Sequence, residues 1–225
     1  MTKRAVVLLS GGLDSATALY WAGKRGYRTS ALTVDYGQRH RRELESARRL
    51  ARAAGADLTT LSLDLPWLPD STSLVGGSKP LPDIPVGRIG RNGIPSTYVP
   101  GRNTVFLSLA LSFADARDAQ AIVIGANTLD SSGYPDCRPA YLRAFEKAAR
   151  LGSRAGVQQR PFRILAPLLR LDKKGIVKLA TRLGVPLEKT WSCYRGGDTP
   201  CRRCDSCKLR AKGFNEAAQK DPLVH

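Results

Sequence analysis

The sequence predicts an α/β fold built on a Rossmann-like parallel sheet of five strands. Its first third contains three short apolar segments, Ala5–Leu9, Thr29–Val34 and Leu58–Leu63, and a stretch with helical periodicity separates each from the next. The first segment is almost wholly apolar, which is typical of a strand that is covered on both faces. Strands that alternate with helices through short links form right-handed crossovers, and these make the strands parallel.

The elements after the third segment are less regular. Residues 64–102 are rich in Pro, Gly and Ser and show little periodicity, so they are predicted to form a lid-like loop. A helix is predicted from Asn103, and the fourth and fifth strands are predicted over Ala121–Gly125 and Phe162–Leu165. Asp172 is the predicted N-cap of a further helix.

The charge and composition of the chain indicate which partners and which cellular compartment to expect. Lys and Arg total 36 against 19 Asp and Glu, and the formal net charge is +17. Such a charge suits a polyanionic partner such as RNA, but the arginines are spread through predicted helices without interleaved aromatic residues, so we do not expect nucleic acid. No apolar stretch of about 18 residues occurs and a strand begins by Ala5, so the sequence predicts a cytoplasmic protein without a membrane anchor.

The segment Ser10–Ser15, with the sequence Ser-Gly-Gly-Leu-Asp-Ser, lies between the first strand and the first helix. Adjacent glycines allow a tight turn and the close approach of a ligand, and the helix N-terminus that follows attracts phosphate. The spacing matches neither a Walker A loop nor the dinucleotide fingerprint. A turn capped by serine or aspartate is the alternative, but the position after the first strand favours an anion site.

Four of the five cysteines cluster near the C-terminus with the spacing C-x7-C-x2-C-x2-C. They are Cys193, Cys201, Cys204 and Cys207. This set suits a closed tetrahedral zinc site. An iron–sulfur cluster uses similar ligands, but the fourth cysteine lies upstream and nothing in the sequence indicates electron transfer. We therefore divide the chain into an α/β domain over residues 1–186 and a small zinc-binding region over 187–225 that packs on it.

The Ser10–Ser15 segment resembles the pyrophosphate loop of the ATP pyrophosphatases, a superfamily that cleaves ATP between its α and β phosphates. Further motifs, in the same order over nearly the whole chain, resemble those of the 7-cyano-7-deazaguanine synthase family of queuosine precursor biosynthesis. These motifs are Asp35–His40, Val99–Asn103, Ser132–Arg138, Ser192–Tyr194 and Cys207–Phe214. The resemblance implies an adenine nucleotide alpha hydrolase-like fold and an ATP-dependent ligase.

The reaction that the resemblance implies uses ATP twice. ATP adenylates the carboxylate of 7-carboxy-7-deazaguanine, and ammonia displaces AMP to give the amide. A second ATP activates the amide oxygen, and loss of AMP leaves the nitrile. Mg²⁺ is the expected counter-charge on the phosphates, Zn²⁺ is expected to be structural, and the family suggests a homodimer.

The resemblance also implies site residues. The nucleotide site is expected to comprise Leu9, Ser10, Gly11, Gly12, Leu13, Asp14, Ser15, Ala16, Thr17 and Asp35. The substrate site is expected to comprise Arg102, Asn103, Asp130, Tyr134, Asp136 and Arg138. Three of these residues, Asp14, Arg102 and Asp136, are the catalytic candidates.

Each of these roles has a structural alternative. Asp14 either helps to organise magnesium or only caps its helix, and Arg102 either contacts the α-phosphate or substrate carboxylate or forms a surface ion pair. Asn103 beside it could be a helix N-cap. Asp136 and Arg138 either read the guanine-like edge of the substrate or form an internal ion pair.

Two other residues could take part in chemistry. His40 could be a base, but a single histidine is more often structural, and we rank it low. Cys137 could be a nucleophile, but no base partner can be identified for it, and a small buried residue is the favoured interpretation.

Two alternative functions remain open. Ser131 stands where the family has an aromatic residue, and Arg202 stands where it has a small one. Relatives that stop at the amide, or pass the activated carboxylate to an amine of another molecule such as a protein, would share these motifs. The second alternative is a zinc-containing tRNA-modifying or RNA-binding protein, which the positive charge favours and the full-length match opposes.

Overall fold

The computed structural model describes residues 2–39, 41–76, 79–89 and 93–224, apart from the side chains of Leu129, Ser131 and Ser132. Its strands are β1 (Arg4–Leu8), β2 (Arg28–Asp35), β3 (Asp57–Ser62), β4 (Ala121–Val123) and β5 (Arg163–Leu165). They form a parallel five-stranded sheet in the order β3-β2-β1-β4-β5. The predicted fold class is therefore confirmed. His40 lies outside the described residues.

Helices connect and flank these strands. They are α1 (Leu13–Lys24), α2 (Arg42–Ala53), α3 (Arg102–Ala116), α4 (Thr128–Gly133), α5 (Pro139–Leu151), α6 (Arg154–Val157), α7 (Lys173–Leu183) and α8 (Asp205–Glu216). Asp172 caps α7 as predicted, because its carboxylate accepts the Gly175 N–H at 2.8 Å. The sequence did not predict α8, whose buried face includes Arg210 and Gly213 and so lacks a continuous apolar stripe.

Apolar side chains cover the sheet on both faces. Val6, Leu8 and Ile122 belong to the cluster on one face, and Val7 and Val123 belong to the cluster on the other. Neighbouring residues of a strand point to opposite faces, so an unbroken apolar strand needs both layers. The sheet is therefore a rigid base for the loops at its carboxyl edge.

The C-terminal region packs directly on the α/β domain. Phe214 of α8 shares a buried cluster with Ile176 of α7 and Leu13 of α1. A Cβ atom on Gly213 would lie 2.8 Å from the Cβ of Lys173, so the two helices meet closely at this glycine. The division at residue 186 stays a prediction.

Residues 64–102 form a cover over the end of β2. The described part of this segment contains a single 3₁₀ turn, Val86–Arg88, and otherwise turns and loops. Leu68, Leu74 and Val99 from this segment are buried against Val34 and Tyr36. The predicted irregular segment is thus attached to the core by its own apolar side chains.

Among the described residues, no helix is both long and apolar enough to cross a membrane.

A buried ion pair attaches the C-terminal tail to α8. Arg210 donates from Nε to Asp221 Oδ2 at 2.7 Å and from Nη2 to Oδ1 at 2.9 Å. Both side chains are buried, with exposures of 6% and 7%. Arg210 also donates to Thr190 Oγ1 at 2.7 Å, which joins α8 to the segment that precedes the cysteine cluster.

We expect Asp221→Ala to lower the free energy of unfolding by about 3–5 kcal/mol, because it leaves the Arg210 guanidinium buried without its carboxylate. Urea-induced unfolding measures this change. Asp57→Ala is the control, because Asp57 pairs with Arg28 at 3.9 Å on an exposed surface and should have no measurable effect. Equal stabilities of the two variants would contradict the structural role of the pair.

Candidate active site

The candidate site lies where the chain order of the sheet reverses. From β1 the chain runs through α1 to β2 on one side, whereas β4 lies on the other side of β1. The two loops at the carboxyl ends of β1 and β4 diverge there, which is where open parallel sheets bind ligands. A cavity of about 290 Å³ occupies this position and is lined by both loops.

The loop after β1 forms a tight turn at the start of α1. Gly11 has a φ of +90°, and a Cβ at this position would collide with the carbonyl oxygen of Glu43, so both the turn and the packing require glycine. Ser10 Oγ and Ser15 Oγ lie 3.1 Å apart across the turn. Gly12 is the N-cap of α1 and makes no side-chain cap hydrogen bond. The side-chain cap offered as the alternative is therefore absent, and the N-terminus of α1 faces the cavity.

The loop after β4 packs against the start of α1. A Cβ on Gly125 would lie 3.0 Å from the backbone nitrogen of Ser15. Asn127 then donates from Nδ2 to Asp14 Oδ2 and to Asp130 Oδ2, at 2.8 Å in each case. Asn127 therefore holds two carboxylates side by side at the wall of the cavity.

Lys173 completes this cluster and was missed by the sequence analysis. Its Nζ lies 2.5 Å from Asp14 Oδ2, and both side chains are only 20% exposed. Lys173 is the first residue of α7, where a positive charge opposes the helix dipole. A lysine at such a position is the sequence signal that could have identified it.

The charges of this cluster shift one another's protonation. Burial raises the pKa of Asp130 to about 6, the charge of Lys173 lowers it, and the charge of Asp14 raises it. Burial lowers the pKa of Lys173, but the carboxylates of Asp14 and Asp130 outweigh burial and the net direction is upward. Asp14 Oδ1 is buried without a hydrogen-bond partner among the described residues. The cluster thus contains the ammonium group of Lys173 and the carboxylates of Asp14 and Asp130, and Asp14 Oδ1 remains able to accept a hydrogen bond.

A different wall of the cavity carries Arg102. Arg102 opens α3 and donates from Nη1 to the Tyr36 hydroxyl at 3.5 Å. It forms no ion pair with a carboxylate of the described ranges, although the charge of Asp130 is close enough to interact with it. The predicted alternative of a surface ion pair is therefore absent. The wall continues with Tyr134, whose hydroxyl lies 3.1 Å from Thr97 Oγ1.

Asp136 and Asn103 support this wall. Asp136 is buried and accepts the Asn103 N–H at 2.8 Å and its Nδ2 at 3.3 Å. Gly101 is the N-cap of α3, so Asn103 is not its cap. Asn103 Nδ2 also lies 3.0 Å from Cys137 Sγ. Burial raises the pKa of this thiol, which keeps Cys137 neutral and agrees with a buried structural residue.

The structure brings most of the expected site residues to one cavity. Those that line it are Leu9, Ser10, Gly12, Leu13, Asp14, Ser15, Arg102, Asn103, Asp130 and Tyr134. Those that do not line it are Gly11, Ala16, Thr17, Asp35, Asp136 and Arg138. Arg138 is exposed, and no ion pair joins it to Asp136 within the described part of the chain. Asp35 instead accepts the Gly37 N–H at 3.3 Å.

The four clustered cysteines form a candidate metal centre beside the cavity. Their Sγ atoms all lie within 4.8 Å of one another, and those of Cys201 and Cys207 are 4.0 Å apart. Tetrahedral zinc–thiolate bonds place sulfur atoms about 3.8 Å apart, which this arrangement fits. Backbone N–H groups of Arg195 and Cys201 donate to Cys193 Sγ at 3.4 and 3.3 Å. These donors favour the thiolate form that a metal requires.

We expect the Asp130 carboxyl group to titrate near pH 6 in the folded protein, because burial raises its pKa to about 6. Since this folded-state pKa exceeds the unfolded value, Asp130 lowers the free energy of unfolding as the pH rises from about 4 to about 6. The ¹³C NMR shift of the carboxyl carbon measures the titration. In Lys173→Met the midpoint should rise further, because a neighbouring positive charge is lost. A midpoint near 4 would contradict the burial of this group.

Three comparisons place the chain among known proteins. The family model of the queuosine biosynthesis protein QueC matches residues 4–218. The chain is 54% identical over 235 residues to the 7-cyano-7-deazaguanine synthase of Anaeromyxobacter sp. (strain Fw109-5), covering 100% of this chain and 97% of that protein. It is 48% identical over 226 residues to the protein of the same name from Thermoplasma acidophilum, covering 99% and 92%.

A solved structure of NMN synthetase from Francisella tularensis is similar in fold. It has a TM-score of 0.54 and 16% sequence identity, and covers 97% of this chain and 79% of that one. At this identity the likeness concerns the fold alone. The full-length sequence matches carry the assignment, and they confirm the predicted family: the chain belongs to the QueC family of queuosine biosynthesis proteins.

Proposed function

We propose that the protein is an ATP-dependent ligase that converts 7-carboxy-7-deazaguanine and ammonia into 7-cyano-7-deazaguanine. The observation that carries this proposal is the single cavity in which the Ser10–Ser15 turn, the Asp14–Lys173 pair and Arg102 meet. Such a cavity offers hydrogen-bond donors and positive charge to anions at two places. One place suits the departing pyrophosphate and the other suits the substrate carboxylate. The family membership supports the same activity.

The loop end of the cavity is suited to the phosphates of ATP. Ser10 and Ser15 supply hydroxyl donors, and the uncapped N-terminus of α1 supplies N–H groups and a partial positive charge. Lys173 adds a full positive charge that its partners keep protonated. These groups stabilise pyrophosphate as it leaves the α-phosphorus.

Asp14 and Asp130 are the residues that would hold Mg²⁺. Carboxylate oxygens are the ligands that magnesium prefers, and the unpartnered Asp14 Oδ1 is an available one. When bound, the metal supplies counter-charge to the phosphate oxygens. Asn127 keeps the two carboxylates in place through its 2.8 Å hydrogen bonds.

Arg102 is placed to hold the substrate carboxylate or the α-phosphate. A guanidinium matches either group with two parallel hydrogen bonds. Because no carboxylate of the described residues pairs with Arg102, its charge is available to a ligand. Asp136 and Asn103 act as positioning residues, since their buried hydrogen bonds fix the first turn of α3.

The chemistry then proceeds through two adenylations. A carboxylate oxygen attacks the α-phosphorus of ATP and pyrophosphate leaves, which turns a poor electrophile into an acyl adenylate. Ammonia adds to the acyl carbon, loses a proton and displaces AMP, giving the amide. The amide oxygen then attacks the α-phosphorus of a second ATP, and a second pyrophosphate leaves. Loss of AMP and of the remaining protons on nitrogen leaves the nitrile.

The cysteine cluster is proposed to hold structural Zn²⁺. Its four sulfur atoms and their N–H donors fit four thiolate ligands, with no position left for a reacting molecule. The metal would cross-link the segment before Cys193 to the first turn of α8. Arg210 connects the same two elements through its hydrogen bond to Thr190.

The other candidate functions have less support. A relative that stops at the amide, or transfers the carboxylate to a protein amine, would use the same loop, but relatives that are 54% and 48% identical to this chain carry the synthase name. The net charge of +17 would suit an RNA-binding protein, but RNA binding gives no role to the cavity in which the Asp14–Lys173 pair and Arg102 lie. We further propose that the protein acts in the cytoplasm as a homodimer, on the family expectation alone.

Mass spectrometry of the product formed from ATP, Mg²⁺, ammonia and 7-carboxy-7-deazaguanine tests the proposal. We expect the nitrile, with AMP released only when the deazaguanine is present. Accumulation of the amide would assign the protein to the amide-stopping alternative. RNA binding without AMP release would assign it to the RNA-binding one.

The same assay tests the assignment of the loop. Ser10→Ala removes a phosphate donor and should slow AMP formation by about 10²–10³-fold, and Asp14→Ala and Lys173→Met should also slow it strongly. Asp118→Ala is the control, because this exposed carboxylate pairs with Arg154 and Arg160, and none of the three lines the cavity. Zinc content should be unchanged in all four variants, and a variant that loses zinc has unfolded rather than lost a catalytic group.

Removal of the metal should unfold the C-terminal region, because a structural zinc site contributes directly to folding free energy. We expect Cys201→Ser and treatment with a strong chelator to lower the melting temperature and release one zinc ion per chain. Elemental mass spectrometry measures the metal. Visible absorbance with stoichiometric iron would instead identify an iron–sulfur cluster.

A further inference from the structure

A third wall of the cavity comes from the C-terminal region. Asp205, Ser206 and Leu209, all in the first turns of α8, line the same cavity as the phosphate loop. Asp205 is buried, with an exposure of 6%, and its Oδ1 has no hydrogen-bond partner among the described residues. An ionised carboxylate accepts hydrogen bonds and donates none. A buried carboxylate oxygen that accepts no hydrogen bond is energetically costly. This wall is therefore built to receive a hydrogen-bond donor.

The surroundings of Asp205 suit a flat ring. Ile84, Ile89 and Leu209 line the cavity beside it and offer apolar surface. Lys208 donates from Nζ to Asp83 Oδ1 at 2.5 Å and to the Ile84 carbonyl oxygen at 2.7 Å. These contacts hold the segment around Ile84 against α8. The cavity lining thus combines apolar side chains with an unpartnered acceptor.

We propose that Asp205 recognises the edge of the deazaguanine ring that carries the N1–H and the 2-amino group. The inference rests on the proposed function. This edge presents two parallel N–H donors. One matches the unpartnered Oδ1, and the other matches the second lone pair of the oxygen that already accepts the Ile84 backbone N–H. The adenine of ATP presents an amino donor beside the lone pair of its ring nitrogen, so its edge would oppose one carboxylate oxygen. The chemistry therefore assigns Asp205 to the deazaguanine and not to the nucleotide.

The charges of the cavity agree with this assignment. The substrate carries an anionic carboxylate on one part of its ring system and N–H donors on another. The cavity offers the Arg102 cation and the Asp205 acceptor on separate walls. The sequence predicts that Asp136 and Arg138 recognise the ring. Asp136 instead accepts hydrogen bonds from Asn103, and Arg138 is exposed, so neither residue is placed to bind the ring.

The inference gives the metal centre a part in specificity. Cys204 is the N-cap of α8, Asp205 is its first residue, and Cys207 lies in its first turn. Cys204 and Cys207 belong to the candidate metal centre, so ligands on both sides of Asp205 fix its backbone. Asp205 is a binding residue placed by the cysteine cluster, not a ligand of that cluster.

Asp205→Asn tests the proposal, because it keeps the shape of the side chain and replaces one acceptor with a donor. We expect the dissociation constant for 7-carboxy-7-deazaguanine, measured by calorimetry, to rise about 100-fold or more, since a site built for hydrogen bonds tolerates their loss poorly. The dissociation constant for ATP and the zinc content should not change. Asp198→Asn, an equal change at an exposed position of the same region, should leave both affinities unaltered.

The unaltered protein supplies an independent measurement. A substrate analogue that lacks the 2-amino group should bind the unaltered protein at least ~10-fold more weakly than 7-carboxy-7-deazaguanine, and Asp205→Asn should lose this preference. Equal binding of the two compounds by the unaltered protein would overturn the proposal even if the variant did not fold. A loss of ATP affinity in the variant would overturn it in favour of adenine. Failure of the unaltered protein to bind 7-carboxy-7-deazaguanine at all would instead contradict the proposed function.

Discussion

The contact between Asp14 and Lys173 joins two helices at the candidate active site. Asp14 belongs to the first turn of α1, and Lys173 is the first residue of α7. Asn127 ties the loop after β4 to the same carboxylate at 2.8 Å. A buried charge is tolerated only when it is paired and hydrogen-bonded. The Asp14–Lys173 pair and Asn127 therefore hold the two loops of the switch point and α7 together at the wall of the cavity.

The C-terminal region contributes to this arrangement through α8, which contacts Lys173 and lines the cavity. Gly213 of α8 meets the backbone of Lys173, where a Cβ would lie 3.1 Å from its carbonyl carbon. The same helix presents Asp205 to the cavity. A metal bound by the cysteine cluster would fix the start of α8, and with it the part of the cavity wall that carries Asp205. The candidate metal centre and the candidate active site are thus connected through one helix.

The expected site residues separate into those that face the cavity and those that hold them. Arg102 faces it, whereas Asp136 lies behind and fixes the start of α3 through Asn103. Residues that face the cavity and residues that hold them occur within the same short motifs. A segment whose side chain faces the cavity must also be fixed in place by neighbouring hydrogen bonds. A motif therefore identifies the neighbourhood of a site more reliably than the role of each residue in it.

The sequence by itself determined the parallel sheet, the tight turn after β1 and the cysteine cluster. Each depends on residues close together in the chain: an apolar strand, a Gly-Gly turn before a helix, and cysteines at metal-binding spacing. Only the tertiary structure decided that Lys173 and Asp205 reach the cavity and that Arg138 does not. The pairing of Lys173 with Asp14 spans 159 positions. Local patterns carry no signal of such a contact, because the packing of α7 and α8 on the sheet creates it.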